Sequence, residues 1–256
     1  MNRYFYNVSF LKLSNLTCSF CLSVFSVLFF FFFPRISQNI NYHHFAGDFS
    51  TAWIPNGDNV LSNIFFCLAG IIGLIRLKKI PTSFEKFSWQ FFYLAILFVG
   101  FGSGYYHYHP TTLTLFWDRL PMTLGFAALV ANFLSERFTF FRSKSFFWTF
   151  ILFSGFTAFY WILTEIIGKG DLKLYALIQF GTMTLVFGVL LKKPFSKIDR
   201  PYWILFSGYT LAKVTEALDY PIYSLTNQFV SGHVLKHIIA GIALCIFFPV
   251  FKKSSR

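Results

Sequence analysis

Charge is scarce in this chain, and negative charge most of all. Only 12% of the 256 residues are charged, and 10 Asp and Glu stand against 22 Lys and Arg. So little charge cannot coat a soluble domain whose residues are 55% hydrophobic; this is the composition of helical proteins that cross a bilayer several times. Cysteine is sparse too. Cys18, Cys21, Cys67 and Cys245 all lie inside apolar segments, where free cysteine acts as a small packing residue. No disulfide framework is indicated, and the Cys18-x-x-Cys21 pair lacks the strand context of a redox motif. Long polar stretches are missing as well, which excludes a separate soluble domain.

What is present is hydrophobic length, with 39 Phe among the apolar residues. Eight stretches approach the roughly 20 apolar residues needed to span a bilayer: 13–33, 59–77, 88–108, 113–134, 146–166, 171–191, 202–220 and 233–251. The expected architecture is an all-α polytopic membrane protein. Residues 1–36 form an N-terminal transmembrane helix, and residues 37–256 form a seven-transmembrane-helix core. The first segment follows Arg3 and Lys12 and ends in FFFFFPR; it has no small-residue A-x-A cleavage site, so it reads as a signal anchor, with a signal peptide as the alternative. Only the linker around 34–58 is long enough to fold over a membrane face.

The basic excess is uneven. One set of connections, with both ends of the chain, carries 16 positive and 3 negative residues, Arg76, Lys78, Arg137, Arg142, Lys192 and Arg200 among them. The other set has Arg35, Lys169 and Lys173 against Asp48, Asp58, Glu165, Asp171, Glu216 and Asp219. By the positive-inside rule the first set is cytoplasmic, both termini with it, which agrees with an even number of spans. The charge is thus a signal of orientation and lipid-headgroup contact, and does not mark a nucleic-acid footprint.

Against this apolar background five polar residues stand out. Ser103 and His107 lie four apart in GSGYYHYHP, Asp118 lies in FWDRLPM, and His233 and His237 lie four apart in SGHVLKH. Residues four apart share a helix face. Pro110 ends the first of these helices, Asp118 lies one to two turns into the next, and the histidine pair opens the last. All five therefore belong at one depth on the non-cytoplasmic side, on the order of 7 Å from the helix ends at 1.5 Å per residue. Ionisable groups inside membrane segments are costly and mark functional sites. Three neutral imidazoles suit zinc, leaving a fourth position for water; Asp118 could accept that water's proton and Ser103 could stabilise an oxyanion. His109, two residues from His107, points elsewhere on the helix. Arg119, Lys213, Glu216 and Lys236 flank the group as further contacts, with Lys213 and Glu216 spaced for an ion pair. A hydrogen-bonded polar cap joining helix ends is the non-functional alternative.

At these residues the sequence resembles the alkaline ceramidase and phytoceramidase family, within the CREST superfamily of seven-helix membrane hydrolases. The superfamily pattern is Ser-x-x-x-His at the end of one helix, Asp early in the next, and His-x-x-x-His in the last. The step from His107 to Asp118, Pro121-Met122 after it, IPNGDNVLSN, and LAKVTEALDYPIY with SGHVLKH all look like bacterial members. The likeness covers about residues 40–250. It implies Zn2+ on His107, His233 and His237, with Ser103 and Asp118 assisting hydrolysis of an amide in a membrane lipid substrate, a ceramide-like N-acyl sphingoid base. Eukaryotic members also carry an acidic, Trp-containing Ca2+ site; the linker here offers Asp48, Trp53, Asn56 and Asp58, not that arrangement.

Other readings remain. The superfamily includes non-catalytic receptors and lipid-remodelling ester hydrolases. A transporter would need ionisable groups through the midplane, whereas these crowd one end. Lys193-x6-Arg200-Pro201 and Ser231-Gly232-His233 imitate two pieces of a lipid-phosphatase signature, yet the charge map separates them across the membrane.

Overall fold

A computed structural model describes residues 32–47, 53–191 and 197–251. The first expected span lies almost wholly outside these, as do Cys18, Cys21, Asp48, Lys193 and the last five residues. The described residues are helical: α1 (Gly57–Leu77), α2 (Phe84–Tyr108), α3 (Thr112–Arg137), α4 (Lys144–Ile166), α5 (Lys173–Leu191), α6 (Arg200–Ala217), α7 (Asp219–Leu225) and α8 (Gly232–Ile246). Five of them, α1 to α5, are long and apolar enough to cross a membrane.

Two of the expected spans come out differently. The 202–220 stretch breaks at Leu218 into α6 and the short α7; its Lys213 and Glu216 keep α6 from being a uniformly apolar rod. The 233–251 stretch is helical only to Ile246. At 1.5 Å per residue its 15 residues span about 22 Å, less than a hydrocarbon core of about 30 Å. Pro249 follows closely, as expected beyond a helix end. The carbonyls exposed there are taken by side chains: Arg76 Nη1 donates to Cys245 O at 2.8 Å, and Tyr93 Oη donates to Phe247 O at 2.9 Å.

Local chemistry explains where the helices begin. Ser83, Ser143 and Ser231 cap α2, α4 and α8 by accepting backbone N–H groups, and Thr111 with Thr114 forms a reciprocal capping box on α3. Pro201 opens α6, where its missing N–H costs nothing.

Packing then closes a ring. α2 lies between α1 and α3, α8 lies between α1 and α6, and α5 bridges α3 to α6 while α4 stands outside against α3. Two glycines let the site-bearing helices touch. Pro121 has no N–H, so the Trp117 carbonyl loses its helical donor; α2 comes so close there that a Cβ on Gly102 would lie 2.0 Å from that oxygen. A Cβ on Gly232 would meet Thr215 O at 2.1 Å, which brings the start of α8 onto the end of α6. Gly104 on α2 and Gly125 on α3 have ordinary clearance.

The end of the ring away from Asp118 is locked by Arg137, which the sequence offers only as one more orienting charge. It is buried, stacks on Phe133 and Tyr202, and pairs with Glu136 and Asp199, joining α3 to the start of α6.

At the opposite end the segment 34–47 runs across the ring. Ile36 O accepts from Leu172 N at 2.8 Å, Gln38 N donates to Glu165 Oε1 at 2.7 Å, and Ala46 N donates to Asp219 Oδ2 at 2.9 Å. The linker does fold over one face, and does so as a strap.

Candidate metal centre

His107 from the end of α2 meets His233 and His237 from the start of α8 beneath that strap. All three are at most 4% exposed, and their ligand atoms lie within 4.8 Å of one another. No other such group of His, Cys, Asp and Glu occurs among the described residues. His107 Nε2 and His233 Nε2 are 3.3 Å apart. A tetrahedral zinc with Zn–N bonds of about 2.0–2.1 Å sets its ligands roughly 3.3–3.4 Å apart, so this edge already has the required length.

The surroundings favour ligation. Ser62 on α1 donates its hydroxyl to Asn59 O at 3.0 Å, which leaves the oxygen free to accept from His237 Nδ1 at 2.8 Å. That bond puts the His237 proton on Nδ1 and frees Nε2 as a ligand, the usual way a metal-binding imidazole is oriented. Asp219 Oδ1 accepts His233 N–H at 2.7 Å, and Asn56 Nδ2 donates to His107 O at 2.9 Å, so the backbone of each ligand-bearing turn is held. Phe45 from the strap lies over the pair, with ring centroids 4.7 Å from His107 and 4.4 Å from His233. Lys236 Nζ sits 2.9 Å from His233 Nε2 and 3.0 Å from Glu216 Oε1. A metal ion taking the imidazole lone pair would leave Lys236 its carboxylate partner. The group can therefore hold a metal ion, and its all-imidazole donor set is compatible with Zn2+.

Replacing Ser62 by Ala should remove the orienting bond without touching a ligand. Metal affinity is expected to fall 10–100-fold, measured by competition with a chromogenic chelator; unchanged affinity would mean the histidines are held by packing alone.

Beside the triad is a cavity of about 450 Å³ inside the ring. Its body is apolar, with Phe66, Phe92, Val99, Phe126, Met183 and Leu244 in the wall. A π-helical turn at Leu177–Gly181 brings Gln179 and Phe180 into the same wall. His237, Ser103 and Asp118 line its polar end, as do Arg119, Lys213, Glu216 and Lys236. Ser103 on α2 and Asp118 on α3 both line the cavity. Glu216 is gripped on both oxygens, by Lys213 Nζ at 2.6 Å and by Lys236 Nζ at 3.0 Å. Of the residues expected at the site, Ser103, Asp118, Arg119, Lys213, Glu216, Lys236 and His237 line the cavity, while His107 and His233 meet His237 beside it. His109 is exposed at the α2 terminus, and Arg200, at the other end of α6, is about 24 Å of helix away from Glu216; the phosphatase-like pairing has no geometric basis.

The strap contributes its own chemistry. His43 bridges Tyr106 Oη at 3.0 Å and Thr112 Oγ1 at 3.1 Å; burial, with Arg119 and His44 adding to it, holds its pKa below the usual imidazole range. Burial first, and Glu216 second, pushes the Tyr42 hydroxyl up to about 12, so it stays protonated at neutral pH. Of the linker residues weighed for Ca2+, Asn56 is committed to His107 O and Asp58 is exposed.

No family model, curated protein or solved structure matches the chain.

Proposed function

We propose that the protein is an integral membrane, zinc-dependent amide hydrolase that cleaves ceramide-like N-acyl sphingoid lipids to a fatty acid and a sphingoid base. In this reading the bundle is seven spans plus the N-terminal helix, with both termini cytoplasmic and the site on the non-cytoplasmic face. The observation that carries it is the buried His107, His233 and His237 group, whose ligand atoms lie within 4.8 Å of one another, next to an apolar cavity lined by His237, Ser103 and Asp118. A headgroup-level amide could lie there while its acyl chain occupies the cavity.

Zinc on the three imidazoles would supply Lewis acidity, lowering the pKa of a bound water toward ~7 and polarising the amide carbonyl. The chain's own residues do the rest. Asp118 receives the proton as the water oxygen bonds to the amide carbon, then returns it to the nitrogen as the C–N bond breaks, so that acid and amine leave with protons balanced. Ser103 donates its hydroxyl to the oxyanion that develops on the carbonyl oxygen. Lys213 and Lys236 hold Glu216 by its two oxygens beside them, and Phe45 with the strap keeps bulk water off the imidazoles.

The test is release of free fatty acid from long-chain N-acyl sphingoid lipids by the purified protein, with matched esters in parallel. Chelation should abolish release and added zinc should restore it. A zinc-loaded protein that binds these lipids and hydrolyses neither amide nor ester would be a receptor, and the enzyme reading would fail.

A further inference from the structure

Arg119 is only 5% exposed, yet among the described residues its guanidinium makes no hydrogen bond and no ion pair, and its Nη1 is buried without a partner. Of the two carboxylates that line the cavity with it, Glu216 is paired with Lys213 and Lys236, and Asp118 forms no ion pair with Arg119. Instead the guanidinium lies among three aromatic rings, 4.2 Å from the centroid of Trp161, 4.7 Å from Tyr175 and 5.5 Å from Tyr42. The box is itself fixed, since Trp161 Nε1 donates to Glu165 Oε1 at 3.1 Å, the oxygen that also holds the strap through Gln38 N.

Rings can satisfy the faces of a guanidinium by stacking, but not the five N–H donors on its edge. A buried charged group left without acceptors is costly, and this one lines the cavity. At that end three cations, Arg119, Lys213 and Lys236, face two carboxylates, Asp118 and Glu216, and any metal ion would add to the positive excess. The preformed fork suits a planar or tetrahedral oxyanion, which it can hold through two parallel hydrogen bonds.

We propose that Arg119 is the docking point for an oxyanion, a carboxylate or a phosphate, borne by the amphiphile whose alkyl chain fills the cavity. The assignment rests on the reading of the cavity as the substrate's place, and it adds that one ligand of that place is acidic. Either the leaving fatty acid or an acidic headgroup could bring the charge.

The experiment is binding in detergent at pH 8, by displacement of labelled palmitate, with palmitate, hexadecyl phosphate and hexadecanol compared on wild type, Arg119→Met and Arg119→Lys. Each protein is measured before and after metal chelation. Wild type should prefer at least one of the two anions over the alcohol by tenfold or more, chelated or not. Arg119→Met should lose that preference while keeping its affinity for hexadecanol, and Arg119→Lys, with the charge but not the fork, should fall between. A stronger palmitate arm assigns the acyl acid, and a stronger phosphate arm assigns a phosphorylated headgroup. Equal binding of acid and alcohol to wild type would overturn the proposal. So would a preference that disappears on chelation, which would put the anion on the metal. If Arg119→Met does not fold, the chelated wild type and Arg119→Lys still decide. Turnover enters none of these readouts, so failure here is separable from failure of the hydrolase reading.

Discussion

Purified protein is expected to carry about one zinc per chain, and the His233→Ala, His237→Ala double variant essentially none. Two of three ligands come from one helical turn of α8, so the variant leaves His107 alone, and one imidazole cannot hold zinc against bulk water. The measurement is elemental analysis of detergent-purified protein after dialysis, with the helical content of both forms checked by circular dichroism. Hydrolysis should disappear with the metal. The substitutions leave the capping bonds of α8 in place, because Ser231 Oγ accepts Val234 N–H and Asp219 Oδ1 accepts the backbone N–H of residue 233, not its side chain. Wild type that takes up no zinc after reconstitution would reduce the triad to a hydrogen-bonded cap on the helix ends.

Asp118→Asn separates chemistry from binding. The amide has the shape of the carboxylate, but it cannot take a proton from water. Zinc content should match wild type, since Asp118 is not among the three ligands. The turnover number should fall by roughly 10²–10⁴-fold, the usual worth of a positioned general base, with a much smaller change in KM. The substitution also removes a negative charge near Lys236 and Arg119, so thermal stability is measured alongside. Full activity in a zinc-replete Asp118→Asn would remove Asp118 from the reaction.

The five central residues could be read from the chain because each signal is local. His233 and His237, like Ser103 and His107, obey the four-residue period of a helix, and alternation of spans assigns them all to one end. The pair of Lys213 and Glu216 was legible on the same ground and is present at 2.6 Å. Residues whose partners are far away in sequence carried no such mark. Ser62 orients His237 across 175 positions, and nothing about a serine in NVLSN distinguishes it from a packing residue. Asp219 reads as one more surface charge, yet it is 9% exposed and ties α8 to the strap. The end of α8 was overextended because hydropathy is blind to where a carbonyl finds a side-chain donor.

Composition and period by themselves determined a helical, membrane-compatible chain with Ser103, His107, Asp118, His233 and His237 assigned to one end, because burial of apolar length and the 3.6-residue turn are properties of short stretches. Only the tertiary structure decided that three imidazoles converge at a metal-sized spacing, that a strap with Phe45 covers them, and that Arg119 stands caged among Tyr42, Trp161 and Tyr175 without an acceptor. Those arrangements depend on which helices become neighbours, and close approaches such as Gly102 on the Trp117 carbonyl arise from packing between segments that no single stretch of sequence contains.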